Sequence, residues 1–466
     1  MRRSFGSAFG DVEGLCAVYD RRNMKLSTIH STLGELAKEP TRSLGQNFLH
    51  DQNLAAWIVN QLALEPGEAW LELGPGLGAL TEFAVVKSAN GLAVEKDGKL
   101  ADHLRVRFPT LEIVHGDATE FDVRELFPRG PVKLFGNLPY YVSSQILFHY
   151  TADPSPVSAF VFTLQKELAE RLSGVPRTKA YGALTLLIGR RWRVKYLRTL
   201  PPSVFTPAPK VESAVVLLTP RPPGDMPACD GAAFTRLVKR GFAKRRKLLR
   251  KNLGDEVTDW PALCAHLGVL ETARAEELDL PQWIALTNFL TNSAGGPAQD
   301  VHGEVFDVVD ETDRVIRQAT RHEVHTQGLR HRAVHVFVFN DAGELFLQRR
   351  SRAKDMHPLL WDSSAAGHVN AGDDYDGTAP REIAEELGVT ADVERIGDLT
   401  ACAETGWEFV RLFRARHGGP FRLHPAEIDC GGWFTLGQID RWIAARPGDF
   451  ANGFLECFKT VRRRLV

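Results

Sequence analysis

A glycine-rich turn directly after an apolar run restricts the fold of this chain more than any other feature. The run is Ala69-Trp70-Leu71-Glu72-Leu73, and Gly74, Gly76 and Gly78 follow it. Glycines at such a turn let the backbone reverse sharply into a helix and approach a ligand closely. Further short apolar runs recur at helix-length intervals, at residues 91–95, 111–114, 132–137 and 159–162. Strands that alternate with helices pair in parallel, so we expect an α/β fold with a doubly wound sheet between residue 44 and about residue 220.

Polar residues lie at the ends of three of these predicted strands. Glu95, Asp117 and Asn137 each end or follow an apolar run, and ligands of such sheets bind beyond the carboxyl ends of the strands. Glu95 can accept hydrogen bonds from both ribose hydroxyls of an adenosine cofactor, and Asp117 can accept one from the adenine amine. A turn-forming role is the alternative for Asp117. The glycine spacing suits NAD less well, because the NAD fingerprint is G-x-G-x-x-G.

The tetrapeptide Asn137-Leu138-Pro139-Tyr140 decides between these cofactors. The Asn137 side-chain oxygen and the Leu138 carbonyl can accept the two N–H bonds of an exocyclic adenine amine, which favours a tetrahedral, nucleophilic nitrogen. Pro139 restricts the backbone φ angle, and Tyr140 offers a ring on which an extruded base can stack. Phe205 is a candidate to cover the opposite face of the base, with core packing as the alternative. The pattern predicts N6-adenine methylation with S-adenosylmethionine as the cofactor.

Five segments resemble the bacterial small-subunit rRNA adenine dimethyltransferases. They are residues 44–49 (Leu-Gly-Gln-Asn-Phe-Leu), the glycine turn at 72–78, and residues 137–140, 165–172 and 205–216. The resemblance implies a Rossmann-like domain that binds S-adenosylmethionine and transfers two methyl groups to each of two adjacent adenines in a hairpin near the 3′ end of small-subunit rRNA. The implied partner is small-subunit rRNA or the immature 30S ribosomal subunit. The predicted cofactor contacts are Asn47, Leu49, Gly74, Gly76, Glu95, Asp117 and Asn137.

Other functions fit part of the same pattern. Methyltransferases that act on large-subunit rRNA share the Gln-Asn-Phe segment, and a non-catalytic ribosome-assembly factor could bind immature rRNA through the same fold. The residues present at 44–49 and 137–140 favour the small-subunit enzymes. DNA N6-adenine methylation fits less well, because that site usually has proline directly after the Asn or Asp.

A dense run of basic residues follows the predicted sheet. Between residues 233 and 290 the pattern predicts helices without strands, in which apolar residues interleave with cations at helical spacing. A cationic face beside an adenine-methylating site favours binding of RNA phosphates over an ordinary solvated face. The predicted RNA-binding residues are Arg240, Lys244, Arg245, Arg246, Lys247 and Arg250.

At 466 residues the chain exceeds what one hydrophobic core usually supports. We predict a disordered N-terminal extension (1–40), a methyltransferase domain (41–225), a helical RNA-binding domain (226–290), a linker (291–302) and an α+β domain (303–466). The 6 cysteines show no C-x-x-C spacing, which indicates reduced thiols in the cytoplasm. No apolar run is long enough for a membrane helix, and we expect a monomer. Met24 is a candidate for the true start of the protein.

A second motif lies near the end of the chain. Gly367-His368, followed by Arg381-Glu382-Ile383-Ala384-Glu385-Glu386-Leu387-Gly388-Val389, resembles the Nudix box, G-x5-E-x7-R-E-U-x-E-E-x-G-U with U a bulky aliphatic residue. On a helix, Glu382, Glu385 and Glu386 would share one face. Adjacent carboxylates repel unless cations lie between them, and Mg²⁺ or Mn²⁺ suits oxygen ligands. An exposed acidic helix is the alternative, and Asp373 stands where the pattern has Glu.

Residues 304–368 resemble the branch of Nudix proteins related to isopentenyl diphosphate isomerase. That isomerase needs a cysteine just before its Gly-His pair, and this chain has Ala366 there. We therefore expect hydrolysis of a nucleoside-diphosphate-type small molecule rather than isomerisation. Neither the identity of that molecule nor the reason for joining two activities follows from the sequence.

Overall fold

The structure, a computed structural model, describes residues 26–39, 46–222, 224–292 and 303–465. The chain forms two compact units, Met1–Pro222 and Pro223–Val466. The second unit includes both the predicted helical segment and the predicted α+β segment. Within the ranges given above, no helix combines the length and apolar character that crossing a membrane requires.

A doubly wound sheet forms the centre of the first unit. Its strands are β2 (Ala69–Leu73), β3 (Gly91–Glu95), β4 (Glu112–His115), β5 (Val132–Asn137), β6 (Val157–Gln165), β7 (Trp192–Leu200) and β9 (Ser213–Pro220), and a separate pair consists of β1 (Phe48–Leu49) and β8 (Phe205–Thr206). The order in the sheet is β4-β3-β2-β5-β6-β9-β7. The first five strands in this order are parallel, and β9 runs antiparallel to both of its neighbours, β6 and β7. The predicted α/β fold is therefore confirmed.

Helices cover this sheet and connect its parallel strands. They are α1 (Leu26–Glu35), α2 (Gln52–Asn60), α3 (Thr81–Lys87), α4 (Gly98–Arg107), α5 (Ser143–Thr151), α6 (Lys166–Leu172) and α7 (Ala183–Gly189). Every residue of β2 and β3 is buried, as expected for central parallel strands covered on both faces. The chain leaves β2 towards β3 and β4 and later returns to β5 on its other side. The carboxyl ends of β2 and β5 therefore lie at the point where the winding reverses, which is where such sheets bind ligands.

The N-terminal segment is more ordered than the sequence indicated. The prediction of disorder over residues 1–40 is wrong for α1, because Ile29 and Leu33 lie on one helical face and pack with Phe48, Leu77 and Leu100. Residues 1–25 and 40 of the predicted extension, including the Met24 start, lie outside the described residues, and so do residues 44–45 of the first motif.

The second unit begins with helices. They are α8 (Gly231–Gly241), α9 (Leu249–Leu253), α10 (Trp260–Leu267) and α11 (Leu280–Asn292). Asp230 caps α8 by accepting hydrogen bonds from Ala232 N and Ala233 N. Helix α11 extends to Asn292, two residues into the predicted linker, and the rest of that linker lies outside the described residues.

A two-stranded antiparallel sheet, β10 with β11, and a seven-stranded mixed sheet follow in the same unit. The strands are β10 (Val305–Val309), β11 (Val315–Thr320), β12 (His331–Phe339), β13 (Leu345–Arg350), β14 (Trp361–Asp362), β15 (Ala365–His368), β16 (Val393–Leu399), β17 (Glu408–Arg416) and β18 (Ile428–Phe434), and the helices are α12 (Arg321–Gln327), α13 (Tyr375–Glu382), α14 (Leu436–Ala445) and α15 (Asn452–Val461). β12 pairs in parallel with β17 and antiparallel with β15. A π-helical turn, Ile383–Leu387, continues α13.

Candidate functional site

One cavity of the first unit brings the predicted cofactor contacts together. Asn47, Leu49, Gly74, Gly76, Glu95, Asp117 and Asn137 all line it. Gly74 and Gly76 have φ angles of 65° and 60°, which side chains rarely tolerate. A Cβ atom on Gly76 would lie 3.1 Å from the ring of Phe48, so the turn also needs glycine for space.

Glu95 presents a buried carboxylate to this cavity. Its Oε2 accepts a hydrogen bond from Gly76 N at 2.9 Å, and its Oε1 accepts one from Asp97 N at 2.8 Å. Burial raises the pKa of Glu95, and the two N–H groups oppose that rise. Glu72 also lines the cavity, and burial raises its pKa to about 8, so its carboxyl is largely neutral at pH 7.

Asp117 is paired with a cation at the same site. Its Oδ2 lies 2.5 Å from Lys96 Nζ, and its Oδ1 accepts hydrogen bonds from Thr119. Burial alone would raise the pKa of Asp117, but the bonds from Lys96 and Thr119 outweigh burial and hold the pKa below its usual range. The carboxylate is therefore ionised and able to accept a further hydrogen bond.

The structure determines the orientation of the Asn137 amide. Asn137 Nδ2 donates to the backbone oxygen of Asn47 at 2.8 Å. Because a carbonyl oxygen only accepts, the nitrogen must face Asn47, and Oδ1 is then the atom able to accept from a substrate amine. A Cβ atom on Gly136 would lie 2.6 Å from Leu73 O, so a glycine before Asn137 lets β5 approach β2 closely. The arrangement can direct an acceptor to a donor N–H at the cavity.

The aromatic residues are placed differently from one another. Tyr140 is half-buried, and its hydroxyl lies 2.5 Å from Ser213 Oγ. Leu138, Pro139 and Tyr141 line the cavity, and Tyr141 is 58% exposed. Sequence reasoning missed Tyr141, although an aromatic residue next to the motif was a usable signal.

Phe205 occupies the core instead of covering a base. It is 4% exposed, pairs with Leu49 across β1 and β8, and packs in the cluster that contains Val161 and Val215. The predicted contact with the base is therefore wrong for this structure, because the ring is surrounded by apolar side chains. The alternative, core packing, is what the structure describes.

The basic residues of the second unit lie on a turn more than on a helix. Lys244, Arg245, Arg246 and Lys247 are exposed between α8 and α9, whereas the prediction placed them on one helical face. The flanking cations have acidic neighbours: Arg240 Nη1 donates to Glu256 Oε1 at 2.7 Å, and Arg250 lies 3.6 Å from Glu271. The turn therefore offers the densest positive charge of this segment.

The three glutamates of the acidic box in the second unit differ in their exposure to solvent. Glu382 and Glu386 are 8% and 4% exposed, whereas the Glu385 side chain is 38% exposed and bonded to Arg381. The π-helical turn separates Glu385 from the buried pair, because its i→i+5 hydrogen bonds place more residues in each turn and successive residues are rotated less than in an α-helix. The prediction of one shared face is therefore wrong for Glu385.

Burial and mutual repulsion act on the two inner carboxylates. Burial raises the pKa of Glu382 to about 7, and burial together with the charge of Glu382 raises that of Glu386 well above its usual range. Gln348 Nε2 donates to Glu386 Oε2 at 3.1 Å, and Ala366 N donates to it at 3.3 Å. Gln348 Oε1 is buried without a hydrogen-bond partner among the described residues. Asp373 is exposed, on the loop before α13.

A histidine cluster beside this box was missed by sequence reasoning. One ring nitrogen from each of three histidines, His325, His331 and His368, lies within 4.8 Å of the other two. Glu408 Oε1 is 3.5 Å from His331 Nε2 and 3.2 Å from His368 Nε2. The histidines lie on three separate elements, α12, β12 and β15, and their spacing in the sequence matches no common metal-binding motif. Only the Gly-His pair of the motif pointed towards them.

Two nitrogens of this cluster are suited to a cation. His331 Nδ1 lies 2.9 Å from Leu329 O and must donate to it, so Nε2 is the ring nitrogen that could bind a cation. Within the described part of the chain, Nε2 of His331 and Nε2 of His325 are buried without hydrogen bonds. Burial lowers the pKa of His368 to about 4, and the nearby rings of His331 and His368 hold the pKa of Glu408 well below its usual range despite burial. Neutral imidazoles and an ionised carboxylate are a common ligand set for divalent metals.

Comparisons with known proteins identify both regions. A family profile described as ribosomal RNA adenine dimethylase matches residues 38–292, and one described as NUDIX domain matches residues 329–452. A ribosomal RNA small subunit methyltransferase A from Thiobacillus denitrificans is 38% identical over 253 residues, covering 54% of this chain and 98% of that protein. The protein of the same name from Erwinia tasmaniensis is 40% identical over 255 residues, covering 54% of this chain and 93% of that protein. The crystal structure of the 23S rRNA methyltransferase ErmE aligns with a TM-score of 0.45 at 25% identity, covering 53% of this chain and 100% of that one.

Proposed function

The chain belongs to the ribosomal RNA adenine dimethylase family and also carries a Nudix hydrolase domain, and we propose that it dimethylates N6 of two adjacent adenines in a hairpin near the 3′ end of small-subunit rRNA. The donor is S-adenosylmethionine, and the reaction contributes to maturation of the small subunit in the cytoplasm. The small-subunit methyltransferases A that resemble it are matched over 98% and 93% of their lengths. The observation that carries the proposal is the bond from Asn137 Nδ2 to Asn47 O in a cavity that also presents Glu95 and Asp117.

The residues of the cavity fit this donor. Glu95 would accept hydrogen bonds from the ribose hydroxyls, and Asp117 would accept one from the cofactor adenine amine, since each carboxylate is already held by backbone N–H groups. When bound, S-adenosylmethionine supplies a methyl group on a sulfonium that needs no further activation. The task of the chain is therefore to orient two reactants and to exclude water.

Asn137 orients the acceptor nitrogen. With Nδ2 engaged by Asn47 O, its Oδ1 accepts one N–H of the target adenine, and the Leu138 carbonyl accepts the other. Tyr140 follows the cavity-lining Pro139 in the chain, and its ring would stack on the base; Tyr141, which lines the cavity, is 58% exposed. The exposed cations at residues 244–247 would bind rRNA phosphates.

A substrate comparison tests this function against its alternatives. Purified protein is incubated with radiolabelled S-adenosylmethionine and, separately, immature small subunits, naked small-subunit rRNA, large-subunit rRNA and DNA. We expect label on adenines of the immature small subunit. Label confined to large-subunit rRNA would support the large-subunit alternative. Tight binding to immature subunits without any label would support a non-catalytic assembly factor.

For residues 329–452 we infer metal-dependent hydrolysis of a nucleoside-diphosphate-type molecule. Glu382 and Glu386 would hold Mg²⁺ or Mn²⁺, because their buried, mutually repelling carboxylates need a cation or protons between them. The exposed Glu385 would contribute from the outer side of the π-helical turn. When bound, the ion supplies charge neutralisation at the diphosphate and activates water. Ala366 leaves no thiol before the Gly-His pair, which supports hydrolysis over isomerisation.

The histidine cluster would hold a further divalent ion in the same domain. The orphan Nε2 atoms of His325 and His331 and the neighbouring Glu408 carboxylate suit Zn²⁺ or Mn²⁺ better than Mg²⁺, which prefers oxygen ligands. Metal-depleted protein dialysed against Zn²⁺ or Mn²⁺ should retain ion measurable by mass spectrometry. Unchanged retention in His331→Ala would remove the cluster from the metal site, and absence of diphosphate hydrolysis with every metal would remove the hydrolase function.

A further inference from the structure

Helix α1 lies outside the residues that the family profile matches, yet it packs behind the cofactor cavity. The profile begins at residue 38, and α1 ends at Glu35. The buried side chains Ile29 and Leu33 contact a cluster formed by Phe48, Leu77 and Leu100, and all three of those residues line the cavity. The helix therefore supports the cavity wall directly.

Two lysines fasten the end of α1 to the segment that carries Glu95. Lys99 Nζ donates to Leu36 O at 3.1 Å and to Ala37 O at 3.2 Å. Lys38, three residues after the helix, forms an ion pair with Asp97, and both side chains are close to 10% exposed. A charge pair this sheltered from water is coupled more strongly than an exposed one.

Asp97 connects this ion pair to the cofactor site. Its backbone N–H donates to Glu95 Oε1 at 2.8 Å, and its Oδ1 accepts from Leu100 N at 3.2 Å to cap α4. The Asp97 charge also raises the pKa of the buried Glu95, after the larger effect of burial. Lys38 compensates the charge of Asp97. Without Lys38, the neighbouring carboxylates of Asp97 and Glu95 would repel each other more strongly.

We propose that Lys38 is a positioning residue for the cofactor: by pairing with Asp97 it holds the Glu95 carboxylate where the ribose hydroxyls bind. This inference rests on the proposed use of S-adenosylmethionine. Helix α1 contributes by holding the chain that presents Lys38. The effect concerns cofactor affinity and not the transfer step, because Lys38 acts through Asp97 and Glu95 and not through Asn137.

The experiment measures binding of S-adenosylhomocysteine to the full-length protein by calorimetry, together with methyl-transfer kinetics. Lys38→Met should raise Kd and the KM for S-adenosylmethionine about tenfold, the loss expected for one charge-assisted hydrogen bond, with kcat unchanged. Lys38→Arg should restore most of the affinity. Lys99→Met is the matched control, since among the described residues Lys99 bonds to carbonyl oxygens of the same segment and to no carboxylate, and its Kd should change less than threefold.

A double variant separates charge compensation from general damage. Asn at position 97 can still cap α4 and keeps its backbone N–H on Glu95, so Lys38→Met combined with Asp97→Asn should regain affinity within about threefold of the unmodified protein. Loss of affinity that persists in the double variant, or equal losses for Lys38→Met and Lys99→Met, would overturn the positioning role. Unmodified protein that fails to bind S-adenosylhomocysteine would overturn the proposed methyl donor itself, and with it this inference.

Discussion

Buried carboxylates are compensated in different ways in the two units. At the cofactor cavity, Glu95 receives two backbone N–H groups, Asp117 is paired with Lys96, and Glu72 is largely neutral at pH 7. In the second unit, burial raises the pKa of both Glu382 and Glu386, and the charge of Glu382 raises that of Glu386 further. At the cavity, groups of the chain itself thus compensate the carboxylate charges. In the acidic box, bound cations or protons must compensate them. The difference fits the organic methyl donor proposed for the first unit and the metal ions proposed for the second.

The largest expected effect is a loss of methyl transfer in the first unit, with the activity of the second unit unchanged. Asn137→Ala removes the amide whose direction Asn47 fixes, so methyl transfer should fall about 10²- to 10³-fold, as for loss of one oriented group at a reacting centre. Affinity for rRNA and hydrolysis of diphosphates should be unchanged. Labelled methyl incorporation measures transfer, filter binding measures rRNA affinity, and phosphate release measures hydrolysis. Asn90→Ala is the matched control, and near-normal turnover in Asn137→Ala would remove the orienting role.

A substitution in the acidic box should affect only the activity of the second unit. Glu386→Gln removes a buried charge that a cation would need, and hydrolysis should fall by at least about 10²-fold because several kcal/mol of charge stabilisation are lost. Methyl transfer should be spared, since Glu386 belongs to the second unit. Phosphate release with Mg²⁺ or Mn²⁺ is the measurement. Loss of both activities would contradict independent sites. Glu385→Gln, at the exposed position, should have the smaller effect.

The buried glutamates of the second unit should make the stability of the protein depend on pH. Glu382 has a pKa of about 7 in the folded protein, above its usual value of 4.5, so the folded state binds more protons than the unfolded state between these values. Stability of the metal-free protein should therefore fall as pH rises from about 4.5 to 7, by on the order of 1–3 kcal/mol. Saturating Mg²⁺ should flatten this slope. Calorimetric unfolding at several pH values tests it, and a slope that Mg²⁺ leaves unchanged would exclude these carboxylates as its source.

The smallest effect concerns the basic turn. Lys244→Glu with Lys247→Glu should weaken rRNA binding about tenfold and reduce the salt dependence by about one unit of slope for each lost phosphate contact. Fluorescence anisotropy at several salt concentrations measures both quantities. Lys459→Glu, another exposed lysine of the second unit, is the control and should change neither. An unchanged salt slope in the double variant would place the rRNA contacts elsewhere.

The sheet of the first unit was predictable because its information is local. Runs such as Ala69–Leu73 and Gly91–Glu95 are wholly buried parallel strands, and apolar composition over five residues reveals them. The glycine turn and Asn137 follow strands directly, so strand ends and cofactor cavity were located together. Phe205 and Glu385 were misjudged for a different reason: their exposure depends on the partners of β8 and on a π-helical turn that the residue pattern does not specify.

Sequence by itself therefore determined both reaction classes, because each motif concentrates its chemistry in a few consecutive residues. Tertiary structure alone decided which groups surround those motifs. It brings His325, His331, His368 and Glu408 together from separate elements, and it joins Lys38 to Asp97 across 59 positions of the chain. Such contacts depend on how helices and strands pack, and packing is a property of the whole core and not of any short segment.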